Sequence, residues 1–197
     1  MTRPNPRESI GHNGGPSLEG GTGFRRIAWA RARKALMPNT APIEILRRRV
    51  ARAKALSLPY KTYAAIRAAT GEDIEAMLFT SNALNLLRPH DALTKSQSER
   101  LAQIATSRHA TLTKGLPPSA LEPVPFKSIR PAPGFQDTWS SLSREMQSWL
   151  KSEQLPADRV LMIGETAFER EHAAAGNLAH FVTGQTIFAH SPATSHQ

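Results

Sequence analysis

The chain has 197 residues, of which 40% are hydrophobic, with a net charge of +9 and no cysteine. That length fits one domain with an extension, and the missing thiols exclude disulfides, a cysteine nucleophile and thiolate metal sites. No stretch approaches the roughly 18 consecutive apolar residues of a membrane span, and the opening MTRPNPRESIGHNGG holds no secretory apolar run, so the expected location is the cytoplasm, with no membrane partner.

Charge is concentrated in one block. Between Phe24 and Thr70 there are twelve Lys or Arg and a single acid, Glu44, a local net of +11. Residues 1–23 are balanced, and residues 71–197 carry 11 basic and 13 acidic side chains. A local cationic block on an otherwise ordinary chain points to a polyanionic partner, DNA or RNA first.

Taken in chain order, residues 1–23 are rich in Gly, Pro, Asn and Ser and read as a disordered head. Phe24 to Met37 has helical spacing of Phe24, Ile27, Ala28, Ala32, Ala35 and Leu36, and Pro38 ends it. A second helix is expected from the Thr40–Pro42 start to about Leu56, with Ile43, Leu46, Val50 and Ala53 as its apolar stripe. A third is expected over Tyr60–Ala69 with Gly71 as its stop, and Asp73–Met77 as one further helical turn. The pattern then changes. Met77–Thr80 reads as a buried strand, Gln97–Ala105 as a helix and His109–Thr113 as a strand. Leu116–Pro133 reads as proline-rich loop with a short extended piece. Thr138–Leu150 is an amphipathic helix with Trp139, Leu142, Met146 and Trp149 on one side. Arg159–Ile163 is a strand, Ala167–Ala175 a helix stopped by Gly176, and Leu178–Val182 a final strand. Residues 190–197 read as a disordered tail. Alternating strands and helices predict an α/β fold. The organisation expected is a basic helical region over 24–76 followed by a small three-layer, mostly parallel-sheet domain over 77–189.

Arg47, Arg48, Arg49, Arg52, Lys54, Lys61 and Arg67 are the candidate nucleic-acid contacts, because guanidinium and ammonium groups on helix faces neutralise phosphates and release counterions. Ala53, Ser57, Leu56, Leu58 and Ile66 stand where two helices would cross at a tight break, so residues 43–70 resemble a helix-turn-helix. Ala53–Tyr63 is also similar to the helix-loop-helix part of ribbon-helix-helix repressors, without their N-terminal strand. The run Ile10–Pro16 resembles a short N-terminal segment found on many bacterial proteins. A solvated basic face is the competing reading, as is a surface that meets an acidic protein.

Three later segments fall in the order of motifs in the haloacid-dehalogenase (HAD-like) superfamily of phosphohydrolases, and residues 77–183 partially resemble its C-terminal half. Leu78–Asn82 resembles the second motif, whose Thr or Ser holds a phosphoryl group. Arg130–Phe135 resembles the third, with Arg130 in place of a lysine. Gly164–Glu169 resembles the fourth, with Glu165 and Glu169 in place of two magnesium-binding aspartates. The resemblance implies a Rossmann-like layout and an alternative ligand site of Thr80, Ser81, Arg130, Glu165 and Glu169, with Mg²⁺ as the alternative cofactor. It also implies an Asp-x-Asp nucleophile motif at the end of a first strand, and the chain contains no Asp-x-Asp. Without that carboxylate no phospho-enzyme forms by the family's route. The seven histidines show no metal-ligand spacing, and no serine lies in a nucleophile-elbow pattern. The sequence therefore favours a non-enzymatic, nucleic-acid-associated or regulatory protein with no cofactor and no catalytic or metal residue, against a divergent phosphohydrolase, a phospho-ligand-binding domain, or a module for an acidic protein.

Overall fold

The computed structural model describes residues 42–188. The expected head, the Phe24–Met37 helix and the tail lie outside the described residues. Within them, α1 (Ile43–Ala55) and α2 (Tyr60–Thr70) precede β1 (Ala76–Thr80). Then come α3 (Lys95–Ala102), β2 (Ser107–Leu112), β3 (Ser128–Pro131), α4 (Trp139–Glu153), β4 (Val160–Gly164), α5 (Ala167–Ala175), β5 (His180–Thr183) and α6 (Gly184–Phe188). The five strands form one sheet in the order β3-β2-β1-β4-β5, and every pairing is parallel. The α/β expectation is met, and among the described residues no helix is long and apolar enough to cross a membrane.

The two-residue period of a strand explains the layers. Met77 and Phe79 of β1, with Leu161 and Ile163 of β4, face a core shared with Ala53, Leu56, Leu58, Tyr63, Ile66, Leu101 and Ile187. Their neighbours Ala76, Leu78, Val160 and Met162 face the other side, against Met146, Trp149 and Leu150 of α4 and Ala173 of α5. Both faces are covered, as a parallel sheet requires. The basic helices and the sheet thus share the larger core. The tight break between α1 and α2 places Ser57 at φ +55° and buries Leu56 and Leu58. Gly71 caps α2 at φ +82°, its N–H donating to the Arg67 carbonyl, which is the stop read from the sequence.

Several local expectations are corrected. Asp73–Met77 is not a helical turn: residues 73–75 are irregular and β1 begins at Ala76. The Asp73 carboxylate instead accepts from Arg52 and Tyr63, which draws the segment out of the helix. The extended piece in the proline-rich loop is an edge strand, β3, where Pro131 is tolerated. Trp139 opens α4 at 56% exposure rather than joining its buried side. The upstream part of the α1 stripe is likewise solvent-facing, with Leu46 at 40% and Val50 at 46%. Helix α6 was not expected. It starts at Gly184, where a Cβ would stand 2.5 Å from the Ala83 carbonyl oxygen, so the chain after β5 passes directly over the turn that follows β1.

The strand order places the site. The chain steps outward from β1 to β2 and β3, then returns to the far side of β1 for β4 and β5. Loops leaving β1 and β4 therefore diverge at their carboxyl ends, the position at which open α/β sheets form a ligand crevice.

Candidate functional site at the carboxyl ends of the strands

A cleft of about 400 Å³ lies there, lined by Thr80 and Asn82 at the end of β1, Thr111, Thr113 and Lys114 at the end of β2, the Ala132–Phe135 loop after β3, and Thr166, Phe168, Glu169 and His172 at the start of α5. β1 ends in Thr80, and β2 gives way to Thr113 and Lys114, because the apolar pattern stops where the sheet stops. Thr80 and Ser81 are buried there and satisfied locally. The Thr80 hydroxyl accepts from the Ala83 N–H at 3.1 Å, and the Ser81 hydroxyl lies 2.7 Å from that of Thr113. The second contact ties the ends of β1 and β2 together.

Glu169 is buried at the heart of the cleft. It stands at the third position of α5, in a capping box with Thr166: the Thr166 hydroxyl accepts from the Glu169 N–H, and Glu169 Oε2 accepts from the Glu165 and Thr166 N–H groups at 2.7 and 2.9 Å. Its other oxygen, Oε1, accepts from the Asn82 side-chain amide at 2.9 Å. Gly164 makes this approach possible, since a Cβ there would stand 2.9 Å from Glu169 Oε2 and 2.6 Å from Phe181. Glu165, by contrast, is exposed at the end of β4.

His172, one turn further along α5, is 1% exposed and its Nε2 has no hydrogen-bond partner. Burial, reinforced by the positive charge of Arg130 and opposed by Glu169 and Asp137, pushes its pKa down to about 4. It is a neutral imidazole near neutral pH. Arg130 does not line the cleft. Its guanidinium pairs with Glu145 of α4 and lies 5.6 Å over the Trp149 ring.

Of the five residues implied by the phosphohydrolase resemblance, Thr80 and Glu169 line the cleft and Ser81 lies directly behind it. Glu165 stands at the exposed edge, and Arg130 is turned to α4. Sequence reasoning assigned no role to Asn82, Thr111, Thr113, Lys114, Phe135, Phe168 and His172. A signal was present for Thr111, Thr113 and Lys114: Thr-x-Thr-Lys closes an expected strand, and strand ends are where such sheets bind.

The donor set does not fit Mg²⁺. Both oxygens of Glu169 are taken by protein N–H groups, Asn82 presents its amide to that carboxylate, and a magnesium shell is built from oxygen ligands. Among the described residues no group of three His, Asp or Glu could hold a metal.

The candidate nucleic-acid contacts divide into two sets. Arg52 Nε donates to Asp73 at 2.9 Å, and its other nitrogens donate to the carbonyls of Ala105 and Ile74 at 3.0 and 2.7 Å. Arg67 lies 3.9 Å from the same aspartate, and Arg47 pairs with Glu44 on the open face of α1. Arg48, Lys54 and Lys61 are exposed and Arg49 is half-buried, and none of the four has an ion-pair partner among the described residues.

The fold and cleft together define a class, the parallel α/β proteins with a cleft at the carboxyl ends of their strands. No protein-family model matches the chain, and neither a curated protein nor a solved structure matches it.

Proposed function

We propose that the chain is a non-catalytic phospho-ligand-binding protein, which holds a phosphorylated molecule in the strand-end cleft and does not hydrolyse it. The observation that carries this reading is the end of β1. It is the first strand of the described chain, so on this reading the Leu78–Asn82 segment, likened above to the second motif, corresponds instead to the first, with Thr80 and Asn82 in place of its Asp-x-Asp pair. β2, which carries Thr111 and is followed by Thr113, then corresponds to the phosphoryl-holding second motif. A threonine hydroxyl needs a base to become a nucleophile, and the buried carboxylate beside it, Glu169, is engaged on both oxygens. What is left is binding chemistry: the Thr111 and Thr113 hydroxyls, the Lys114 ammonium and a neutral His172 around one cleft. In calorimetric titrations, inorganic phosphate and phosphate monoesters are expected to bind, with Lys114→Ala weakening them about tenfold, as the loss of a charge-assisted contact does. p-Nitrophenyl phosphate is expected to show no turnover with or without Mg²⁺. Turnover that disappears in Thr80→Val, or no phosphate binding at all, would sink the reading.

A second reading rests on the unpaired cations of α1 and α2. Arg48, Arg49, Lys54 and Lys61 are available to a phosphate backbone, whereas Arg52 is spent on the fold. Binding of random duplex DNA or single-stranded RNA is expected to fall linearly on a log–log plot against salt. Arg48→Glu combined with Lys54→Glu is expected to lower the slope by about two phosphate contacts' worth. An unchanged slope assigns these side chains to solvent.

A further inference from the structure

Phe135 is 88% exposed, more than any other large apolar side chain described, yet it is held in place. Its ring sits 5.0 Å from that of Phe168, tilted by 44°, and its loop is tied down by the Gly134 N–H donating to the Asp137 carboxylate at 2.7 Å. Both rings line the cleft, and Ala132, Pro133 and Gly134 continue the apolar wall beside them. Thr111, Thr113 and Lys114 line the same cleft. The cleft therefore combines hydroxyls and a cation from the end of β2 with an exposed aromatic face formed by the loop after β3 and the start of α5.

Folding gains almost nothing from a phenylalanine ring left in water, whereas a flat ligand ring stacked on it removes apolar surface from both partners. The cleft volume of about 400 Å³ falls within the usual range for small-molecule sites of about 300–1,000 Å³. The chemistry that matches both the cation with its hydroxyls and the aromatic face is a phosphate monoester joined to a planar heteroaromatic ring. We infer that the ligand of this cleft is a nucleoside monophosphate, its phosphoryl group at Thr111, Thr113 and Lys114 and its base stacked on Phe135. The inference rests on the phospho-ligand reading and adds the organic half of the ligand to it. Asn82 lends its amide to Glu169, and the neutral His172 adds no charge, so among the described residues Lys114 is the one cation lining the cleft.

The test compares AMP with ribose 5-phosphate by calorimetry on the full chain and on its Phe135→Ala and Phe135→Trp variants. Because Phe135 is exposed, truncating it leaves the core untouched. AMP is expected to bind about tenfold more tightly than ribose 5-phosphate, the order of effect of one base–aromatic stack. Phe135→Ala is expected to abolish that advantage without changing ribose 5-phosphate binding, and Phe135→Trp to restore it. Equal affinities that ignore both substitutions overturn the aromatic platform and leave the phospho-ligand reading standing. If neither ester binds, both fall together.

Discussion

Asp73→Ala is expected to lower the unfolding free energy by about 2 to 4 kcal/mol, as the loss of one partner from a part-buried charge network does. The carboxylate accepts from Arg52 Nε and from the Tyr63 hydroxyl, each at 2.9 Å, and from the Ile74 N–H, also at 2.9 Å. Arg52 in turn donates to the carbonyls of Ile74 and Ala105, at the entrances to β1 and β2. One aspartate thus joins α1, α2 and the amino-terminal edge of the sheet, and its removal leaves Arg52 Nε and the buried Tyr63 hydroxyl without their acceptor. Burial pushes the Asp73 carboxyl up, but the Tyr63 hydroxyl, the Ile74 N–H and Arg52 outweigh it and hold it below the ordinary carboxylate value of 3.8. A group depressed in the fold contributes stability above its unfolded pKa and loses it as pH falls through the folded one. The acid limb of the stability curve below about pH 4 is therefore expected to be shallower in Asp73→Ala. Urea denaturation at neutral pH checks the first statement: a lowered midpoint with unchanged slope is the expected result. A midpoint shift worth less than about 0.5 kcal/mol, the scatter of ordinary surface substitutions, would show that the network holds nothing together.

The same network shows where the sequence was legible and where it was not. The apolar run of β4 and the cap at Gly71 were readable because they are local: one depends on side-chain period, the other on a glycine's tolerance of φ +82°. Arg52 was not, because its value lies in Asp73, twenty-one residues away, and charge counting treats every arginine on a helix alike. The short strand β3 escaped a firm assignment because half its residues are exposed and one is proline, so only its pairing with β2 defines it. Trp139 was read by helical period as a core residue, and the period does not extend to the first turn, which protrudes.

The cleft was legible in pieces. Thr80 and Glu169 were singled out by motif resemblance, and the structure puts both on its wall. The partnership between Asn82 and Glu169 spans 87 residues and exists only because β1 and β4 are neighbours in the sheet. With the two backbone N–H groups of Glu165 and Thr166, that contact gives both oxygens of Glu169 a donor. Arg130 lies outside the cleft. Its motif position suggested a ligand contact, but the pleat of an edge strand points it at Glu145 and Trp149 instead.

His172 carries the second large expectation, a loss of stability on mild acidification. Burial, then Arg130, pushes its pKa down to about 4 from an ordinary 6.5, while Glu169 and Asp137 restrain the shift. The unfolded chain therefore binds a proton between these two values that the fold refuses, and stability rises with pH across that window. The full effect is on the order of 3 kcal/mol, complete by about pH 4. His109 adds to it in the same direction: burial lowers its pKa too, against the pull of Glu153, and its Nδ1 lies 2.7 Å from the Ser128 hydroxyl. The variant that separates the two is His172→Gln, which keeps a polar side chain and cannot take up a proton. Urea midpoints measured from pH 7 to pH 4.5 are expected to fall steeply in the parent and much less in His172→Gln. Parallel curves would place the proton uptake elsewhere. The same variant bears on the ligand. A phosphate monoester gains its second negative charge near pH 6, inside the window where His172 is still neutral in the fold. Affinity that rises through pH 6 in both parent and variant then reports the ionisation of the phosphate, and the cleft reads that charge through Lys114.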